Sequence, residues 1–224
     1  MRLEHYLKSY PRLQRVNELA KELYAQGGLP LHNYDHAVWD TEKIILICET
    51  EDIRKIVNKI SAGLIHDSGV SRGPYEDHSI NGGKNVREYF PILGFSGQDT
   101  EEIAVAVEEH NGWTHTNETS IILYDADTLN KAGAHGIDQC FKVGEERELD
   151  LKGMQERFLP YFVKLVDKGF YTATADQINM EMGNGHLPGL TLGLEYWRKV
   201  EEHLKSGDLP EDEIIKKANE CYGI

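Results

Sequence analysis

The sequence predicts an all-α protein folded as one domain. Apolar residues recur at spacings of three and four along most of the 224-residue chain, which is the period of an amphipathic helix. Leu13, Val16, Leu19 and Leu23 form one such run, which stops at a Gly-Gly pair. No linker, repeat or low-complexity tract divides the chain, so we expect a single helical bundle over residues 1–224.

The next two helices are predicted from a capping residue and from a second apolar period. Asn33 can cap a helix that carries Ile44 and Ile45. Residues 53–64 give a third helix, which runs into Ile65, His66 and Asp67. Residues 68–77 contain two glycines and a proline and are expected to form a loop.

The same period predicts the later helices. One covers residues 79–90, and the next begins at a cap, Asp99 or Thr100, and ends near His110. Further helices are expected over residues 120–134, 158–168 and 190–204, with surface loops over Gly144–Lys152 and Gly183–Gly189. The Ile121–Leu123 run alone also fits a strand, but the sequence offers no partner strand.

The composition excludes several classes of protein. With 40% hydrophobic and 28% charged residues, the chain is neither disordered nor fibrous. The net charge of −14 disfavours binding to a long nucleic acid, which requires a broad basic face. A small anionic substrate is compatible with this charge if a bound divalent cation supplies local positive charge.

The sequence also predicts a cytoplasmic protein without a membrane partner. Its three cysteines form no CxxC motif and do not suggest a disulfide framework. No apolar run approaches the roughly 18 residues of a membrane span. The charged N-terminal stretch lacks the apolar core of a signal peptide. The acidic helical surface is compatible with a homodimer.

Polar residues at the ends of apolar helices point to a metal site. His36 begins one predicted helix and His66-Asp67 ends the next, so these ends meet if the two helices are antiparallel neighbours. Asp127 comes from a third apolar segment. Nitrogen and oxygen donors in this mixture suit a divalent cation such as Mn, Fe, Co, Ni, Zn or Mg at a catalytic site, and not a sulfur-bound structural zinc.

Each of these residues also has an ordinary structural explanation. Asp67 can cap the following turn while His66 donates to a backbone carbonyl, and a single histidine on a helix is usually a surface or core residue. His78 and His110 lie at further apolar-to-polar transitions. Together, these residues are difficult to explain as independent accidents, which favours the metal site.

The ordered set resembles the HD-domain metal-dependent phosphohydrolases, whose signature is H…HD…D. The matching residues are His36 in HNYDHA, His66-Asp67 in AGLIHDSG, and Asp127 in YDADTLNKAG. Asp127 is matched in preference to Asp125 because the last ligand of the family precedes an x-Leu pair. The likeness covers roughly residues 30–140, and the C-terminal helices would complete an HD-type helical bundle.

The resemblance implies that His36, His66, Asp67 and Asp127 hold one divalent cation. His78 and His110 either bind a second cation that Asp67 bridges, or support the first cation's ligands or the phosphate, so one or two cations per chain are expected. Asp67 is accordingly the central catalytic carboxylate.

Two local likenesses suggest a proton donor for the leaving group. HNYDHA is similar to the HNxxH element of cyclic-nucleotide phosphodiesterases, in which the first histidine protonates the leaving oxygen; His32 takes that place here, with Leu31 where those enzymes have tyrosine. HDSGVSRGPYEDH is similar to a longer form of the HDxGHxPFxH stretch of deoxynucleoside-triphosphate hydrolases, which suggests that His78 faces the site. The acid is therefore His32 or His78.

Phosphate also requires cationic contacts beyond a metal. Arg72 and Lys84 lie near the HD dipeptide in sequence, and Lys131 follows Asp127 by one helical turn. Each is a candidate substrate contact, with a solvated surface charge as the alternative.

These features lead us to expect hydrolysis of a phosphate ester or anhydride on a small nucleotide-like substrate by a metal-activated water. The reaction would be of the nucleotidase, pyrophosphohydrolase or phosphodiesterase type. One alternative is a non-catalytic HD module that senses a nucleotide or a metal. Another is a di-iron HD oxygenase, which requires His78 and His110 as ligands.

Overall fold

The fold is all-α, as the sequence predicts. The structure is a computed structural model that describes residues 2–29 and 31–224, so Met1 and Pro30 lie outside the described residues. Over those ranges it contains twelve α-helices, two short 3-10 helices and no strand. The Ile121–Leu123 run therefore belongs to a helix, and the strand alternative is wrong.

The chain divides into two compact units, Met1–Asp127 and Thr128–Ile224. The first contains α1 Arg2–Ser9, α2 Pro11–Gly27, α3 Tyr34–Thr50, α4 Ile56–Ile65, α5 His78–Tyr89, α6 Gly97–Glu109 and most of α7 Glu118–Leu129. The second contains α8 Gly133–Glu146, α9 Leu151–Lys168, α10 Ala173–Glu181, α11 Gly189–Ser206 and α12 Glu211–Tyr222. A single domain over residues 1–224 stays a prediction.

Helix α4 is the central helix of the first unit. It packs against α2, α3 and α6, and all of its residues from Asn58 to Ile65 are buried. A helix that is enclosed on every side needs apolar or small residues around its whole circumference, and α4 largely meets this requirement. His66 and Asp67 follow its last turn directly and are therefore buried as well.

A buried lysine connects α4 to the start of α7. The Lys59 side chain is 1% exposed, and its Nζ atom donates to the Arg54 carbonyl at 2.9 Å and pairs with Glu118 Oε2 at 2.7 Å. The ammonium group is thus compensated where its stem is enclosed. This pairing anchors the beginning of the helix that carries Asp127.

Two glycines allow α5 to pack directly on the turn that follows Asp67. A Cβ atom on Gly69 would lie 1.9 Å from the His78 carbonyl oxygen and 2.5 Å from the Gly82 nitrogen. A Cβ atom on Gly82 would lie 2.9 Å from the His66 carbonyl oxygen. Larger residues do not fit at these positions, so the glycines determine how closely His78 approaches the His66-Asp67 turn.

Several predicted boundaries were wrong. Helix α4 begins at Ile56 and not at residue 53, because Lys55 has a left-handed backbone with φ of 53°. Helix α6 is capped by Ser96, whose side chain accepts a hydrogen bond from the Asp99 nitrogen, and not by Asp99 or Thr100. The predicted loop over residues 68–77 contains two 3-10 helices, Ser68–Ser71 and Tyr75–Asp77.

The expected loop over Gly144–Lys152 is mostly helical. Helix α8 continues to Glu146 and α9 already begins at Leu151, where the Asp150 side chain caps it by accepting from the Gly153 nitrogen. Gly144 is buried, and a Cβ atom there would lie 2.1 Å from Met154 Sδ. This glycine allows α8 and α9 to come close and does not end a helix.

The second unit has its own core around α9 and α11. Helix α11 packs against α8, α9, α10 and α12, and it buries Tyr196 and Trp197 completely. Pro160 lies inside α9, which starts well before the predicted residue 158. Helices α8, α10 and α12 were not predicted from the sequence, whereas the expected loop Gly183–Gly189 does lead from α10 into α11.

The structure contains no disulfide among the three cysteines of the described residues. Cys48, Cys140 and Cys221 are free thiols, and the first two are buried. Across residues 2–29 and 31–224, no helix combines the length and the apolar character needed to cross a membrane.

The close approach at Gly69 can be tested by a pair of glycine substitutions. We expect Gly69→Ala to lower the free energy of unfolding by about 1–3 kcal/mol, because its new methyl group would overlap backbone atoms. Gly97→Ala is the control, since a Cβ atom there has no neighbour within 4 Å. Urea denaturation of both variants measures the difference, and equal stability would contradict the packing described here.

Candidate metal centre

The buried Asp67 carboxylate lies between two pairs of imidazoles. Its Oδ2 atom is 3.3 Å from Nε2 of His36 and 3.3 Å from Nε2 of His66. Its Oδ1 atom is 3.2 Å from Nε2 of His78 and 3.2 Å from Nε2 of His110. Each oxygen therefore faces its own pair of histidines.

Helix ends bring these side chains together. His36 lies in the first turn of α3, where the Asn33 side chain accepts from its backbone nitrogen at 3.0 Å. His66 is the residue after α4, His78 is the first residue of α5, and His110 is the residue after α6. The centre thus forms where the termini of four helices converge.

Backbone carbonyl groups orient three of the histidines. In each case Nδ1 lies within hydrogen-bonding distance of the carbonyl oxygen three residues earlier and donates to it, so Nε2 faces Asp67 and is the nitrogen that would bind a metal when the ring is neutral. The contacts are His66 to Gly63 at 2.9 Å, His78 to Tyr75 at 2.6 Å and His110 to Val107 at 2.6 Å. This arrangement is typical of histidines that bind a metal through Nε2.

The spacing within each pair also fits a shared cation. Nε2 of His36 is 3.3 Å from Nε2 of His66, and the same distance separates the Nε2 atoms of His78 and His110. Two nitrogens bound at about 2.1 Å to one ion in tetrahedral or octahedral geometry lie about 3.0–3.4 Å apart. The described residues therefore hold a His/Asp cluster suited to divalent metal binding.

Two aspartates border the His36 and His66 pair. Asp127 Oδ1 lies 3.9 Å from Nε2 of His36, which places the predicted α7 residue beside the cluster. Asp40 Oδ2 lies 3.1 Å from the same nitrogen and 3.5 Å from Nε2 of His66. The sequence analysis missed Asp40, although its position four residues after His36 puts both on one face of α3.

The Asp67 carboxylate and the imidazoles around it shift one another's pKa values. Burial raises the pKa of Asp67, but the surrounding imidazoles, His66 foremost, outweigh it and hold that pKa well below its ordinary value. Burial opposes protonation of His66, yet the Asp67 carboxylate raises its pKa to about 10. Burial lowers the pKa of His110, against the opposing effect of Asp67. Asp67 is therefore an ionised carboxylate that attracts positive charge.

His32 lies at the edge of the cluster. Its Nε2 atom is 4.0 Å from Asp67 Oδ2, and its side chain is 16% exposed whereas that of His66 is fully enclosed. The His32 ring packs against Tyr75, with 4.5 Å between the ring centroids. Burial lowers the pKa of His32 to about 4, against the opposing effect of Asp67.

A second residue that the sequence analysis missed is Asn111. Its side-chain amide lies 3.1 Å from Nε2 of His78, next to the second imidazole pair. In the sequence it could be interpreted only as a helix stop, because the Asn-Gly pair that follows α6 is an ordinary termination signal. The proximity of His110 and Asn111 to His78 arises from the packing of α5 on α6.

The three candidate phosphate-binding cations have different surroundings. The Arg72 guanidinium contacts Asn85 and lies 2.5 Å from Glu88 Oε2, so it is already engaged by α5. Lys84 is exposed and donates to Asn81 Oδ1 at 2.9 Å. Lys131 lies in the second unit, directly after α7. A contact with substrate stays a prediction for all three.

Comparison with curated proteins gives short matches. No family model matches the chain. A stretch of 49 residues is 53% identical to the bifunctional uridylyltransferase/uridylyl-removing enzyme of Bradyrhizobium diazoefficiens, and it spans 22% of this chain but 5% of that protein. A stretch of 47 residues is 47% identical to the enzyme of the same name from Nitrobacter hamburgensis, again 5% of its length.

Comparison with solved structures covers most of the chain. A predicted HD superfamily hydrolase from an uncultured Thermotogales bacterium matches 75% of this chain and 97% of its own, with a TM-score of 0.54 and 24% identity. Bacillus subtilis YpgQ in complex with ADP matches 86% of this chain and 95% of its own, with a TM-score of 0.65 and 18% identity. A Lactobacillus plantarum protein matches 88% and 98%, with a TM-score of 0.68 and 14% identity. The chain therefore has the HD-domain fold.

The two imidazole pairs lead to a prediction about metal stoichiometry. We expect close to two divalent cations per chain in the fully loaded protein, because each Asp67 oxygen faces a separate pair of nitrogen donors. His110→Ala should reduce this number toward one by removing a donor from the second pair. Mass spectrometry of the metal content measures both values.

His5→Ala is the matched control, since His5 is an exposed histidine on α1, and it should retain the wild-type metal content. A single cation in the fully loaded wild type would contradict two sites. Unchanged metal content in His110→Ala would show that His110 only supports other ligands.

Proposed function

We propose that this protein is a metal-dependent phosphohydrolase acting on a phosphate ester or anhydride of a small nucleotide-like substrate. The observation that carries the proposal is the position of Asp67 between two inward-facing imidazole pairs. The HD superfamily neighbour is described as a predicted hydrolase, and the matched curated relatives are named as uridylyl-removing enzymes. The YpgQ structure contains ADP, which supports a nucleotide-like substrate.

In this proposal the donor atoms divide into two sets. His36, His66, Asp127 and Asp67 would hold one cation, and His78 and His110 would hold a second together with Asp67. A divalent cation bound in such a site generates a water nucleophile at neutral pH and stabilises negative charge on the phosphoryl group. The donor types are compatible with Mn, Fe, Co, Ni, Zn or Mg.

The chain's own residues hold the donor atoms of the site in place. The two oxygens of Asp67 each face one imidazole pair. The carbonyl contacts to Nδ1 of His66, His78 and His110 keep the Nε2 atoms of these rings directed at Asp67. Because Arg72 is engaged by Glu88, the positive charge that attracts phosphate would come mainly from the cations that the cluster would hold. The net charge of −14 of the whole chain favours a small substrate over a long polymer.

A di-iron oxygenase is the alternative that the geometry also allows. A carboxylate shared between two pairs of imidazoles suits iron as well as other divalent cations. Iron at two per chain, with oxygen consumption and no phosphate release, would favour the oxygenase. A sensor module would instead bind a nucleotide or a metal without turning over any phosphate ester.

The first test of the proposal is removal of the shared carboxylate. We expect Asp67→Ala to abolish phosphate release from a panel of nucleotides assayed with Mn, Co, Ni and Mg. Loss of cation-dependent stabilisation worth several kcal/mol corresponds to a decrease of about 10³-fold or more. Bound metal should fall in parallel, whereas circular dichroism should show an intact helical fold because apolar packing supplies most of the stability.

His5→Ala again serves as the control and should hydrolyse the same substrates at the wild-type rate. Full activity in Asp67→Ala would refute the proposed site. A wild type that binds metal and nucleotide but releases no phosphate from any substrate would point to the sensor alternative.

A second test concerns the proton donor. His32 borders the Asp67 carboxylate without belonging to either imidazole pair, so we propose it as the acid that protonates the leaving oxygen. With a pKa of about 4, it requires the negative charge of a bound phosphate to become protonated at neutral pH. His32→Ala should slow hydrolysis of poor leaving groups by about 10²- to 10⁴-fold.

An activated ester such as p-nitrophenyl phosphate needs little protonation, so His32→Ala should affect it far less. Metal content should be unchanged. Equal losses on both substrate types would assign His32 a positioning role, and His78 would then be the candidate for the acid.

A further inference from the structure

We propose that Asp40 is a further ligand of the cation held by His36 and His66. The inference rests on the metal-binding part of the proposed function and does not depend on which bond is cleaved. Asp40 belongs to neither the H…HD…D set nor the second imidazole pair. It lies on α3, one helical turn after His36, and it is completely buried.

The distances match those between ligands of one ion. Asp40 Oδ2, Nε2 of His36 and Nε2 of His66 form a triangle with edges of 3.1, 3.3 and 3.5 Å. Three donors at about 2.1 Å from one cation form a triangle of this size. The donor atoms of these three residues and of Asp127 all lie within 4.8 Å of one another.

Asp40 faces the metal-binding nitrogen of each ring, and this distinguishes a ligand from a residue that only orients a ligand. A carboxylate that only orients a ligating histidine accepts from the nitrogen that does not bind the metal. Asp40 lies instead beside Nε2 of His36, the nitrogen that also faces Asp67 and Asp127. It also approaches Nε2 of His66, whose Nδ1 is already engaged by the Gly63 carbonyl. Asp40 therefore lies on the metal side of both rings.

The burial of Asp40 supports the same conclusion. An ionised carboxylate removed from water is costly unless positive charge compensates it. When the two neighbouring histidines bind a metal they contribute neutral lone pairs, so the bound cation would then balance the charges of Asp40 and Asp67. Asn33 caps α3 at the backbone of His36, which fixes the start of the helix that presents both side chains.

The consequence is that the two halves of the centre differ in charge. The His36 and His66 side has three carboxylates, Asp40, Asp127 and one oxygen of Asp67, whereas the His78 and His110 side shares the other oxygen of Asp67. More carboxylate ligands bind a divalent cation more tightly and favour oxygen-preferring metals. We therefore expect the first cation to bind at the Asp40 side.

The test compares Asp40→Asn with Asp35→Asn, an exposed aspartate on the same helix. Isothermal titration with Co²⁺ measures the affinity for the first equivalent, and the visible d–d spectrum of bound Co²⁺ reports its ligands. We expect Asp40→Asn to lower that affinity by more than about 100-fold, beyond the usual effect of a residue that only supports a ligand. Its d–d spectrum per bound ion should change, while Asp35→Asn should match the wild type.

Asp40→Cys provides a second and independent measurement. A cysteine that binds Co²⁺ produces a thiolate-to-cobalt charge-transfer band in the near ultraviolet, and the wild type, with the same three native cysteines, gives the background. Appearance of the band in Asp40→Cys supports ligation from position 40. Its absence in a variant that retains the helical circular dichroism would contradict it.

The remaining outcomes separate this inference from the proposed function. Wild-type affinity in Asp40→Asn, or reduced affinity with an unchanged d–d spectrum, would overturn Asp40 as a ligand while leaving the rest of the centre intact. Failure of the wild type itself to bind Co²⁺ would overturn the metal-dependent function as well as this inference.

Discussion

The burial of the Asp67 carboxylate is the constraint on which the rest of the first unit depends. Asp67 is 2% exposed and ionised, so it requires positive or hydrogen-bonding groups on several sides. Four imidazoles on different helices meet that requirement, and the Asp67 backbone nitrogen donates to the Tyr24 hydroxyl at 3.2 Å. The helices must converge at this point for the charge to be tolerated.

The chemistry of the centre follows from its placement at helix termini. Carbonyl groups of the last turn of a helix, or of the turn just before one, have a lone pair that can accept from histidine Nδ1. Gly63, Tyr75 and Val107 provide such carbonyls three residues before their histidines. Secondary structure thus fixes the tautomer of three imidazoles, and no additional polar residues are needed to orient them.

The sequence allowed the fold class and the convergence of His36, His66, Asp67 and Asp127 to be predicted, because apolar periods and an ordered motif are local features. Asp40 was missed because an aspartate on a helix is ordinarily a surface residue, and its burial depends on how α3 packs against α4. Tertiary contacts likewise decided the boundary near Gly144.

The surroundings of Arg72, which follows the His66-Asp67 turn, likewise depend on contacts between elements. Arg72 is a candidate phosphate contact from its position in the chain, and α5 places Asn85 and Glu88 beside it. Charge partners that come from another element are not visible in a linear sequence. Proximity to a motif therefore does not reveal which acidic side chains surround a candidate basic residue.

The close contact between α5 and the turn after Asp67 determines which nearby residues can change without moving the centre. Because Gly69 and Gly82 fix the approach of α5, and the Tyr75 carbonyl orients His78, the side chains of the exposed residues Gly73 and Pro74 contribute little to the geometry of the centre. Insertions or exchanges in this short stretch can therefore remodel the rim while the donor atoms keep their positions. The segment is therefore a place where new recognition sequences could be grafted without displacing the donor atoms.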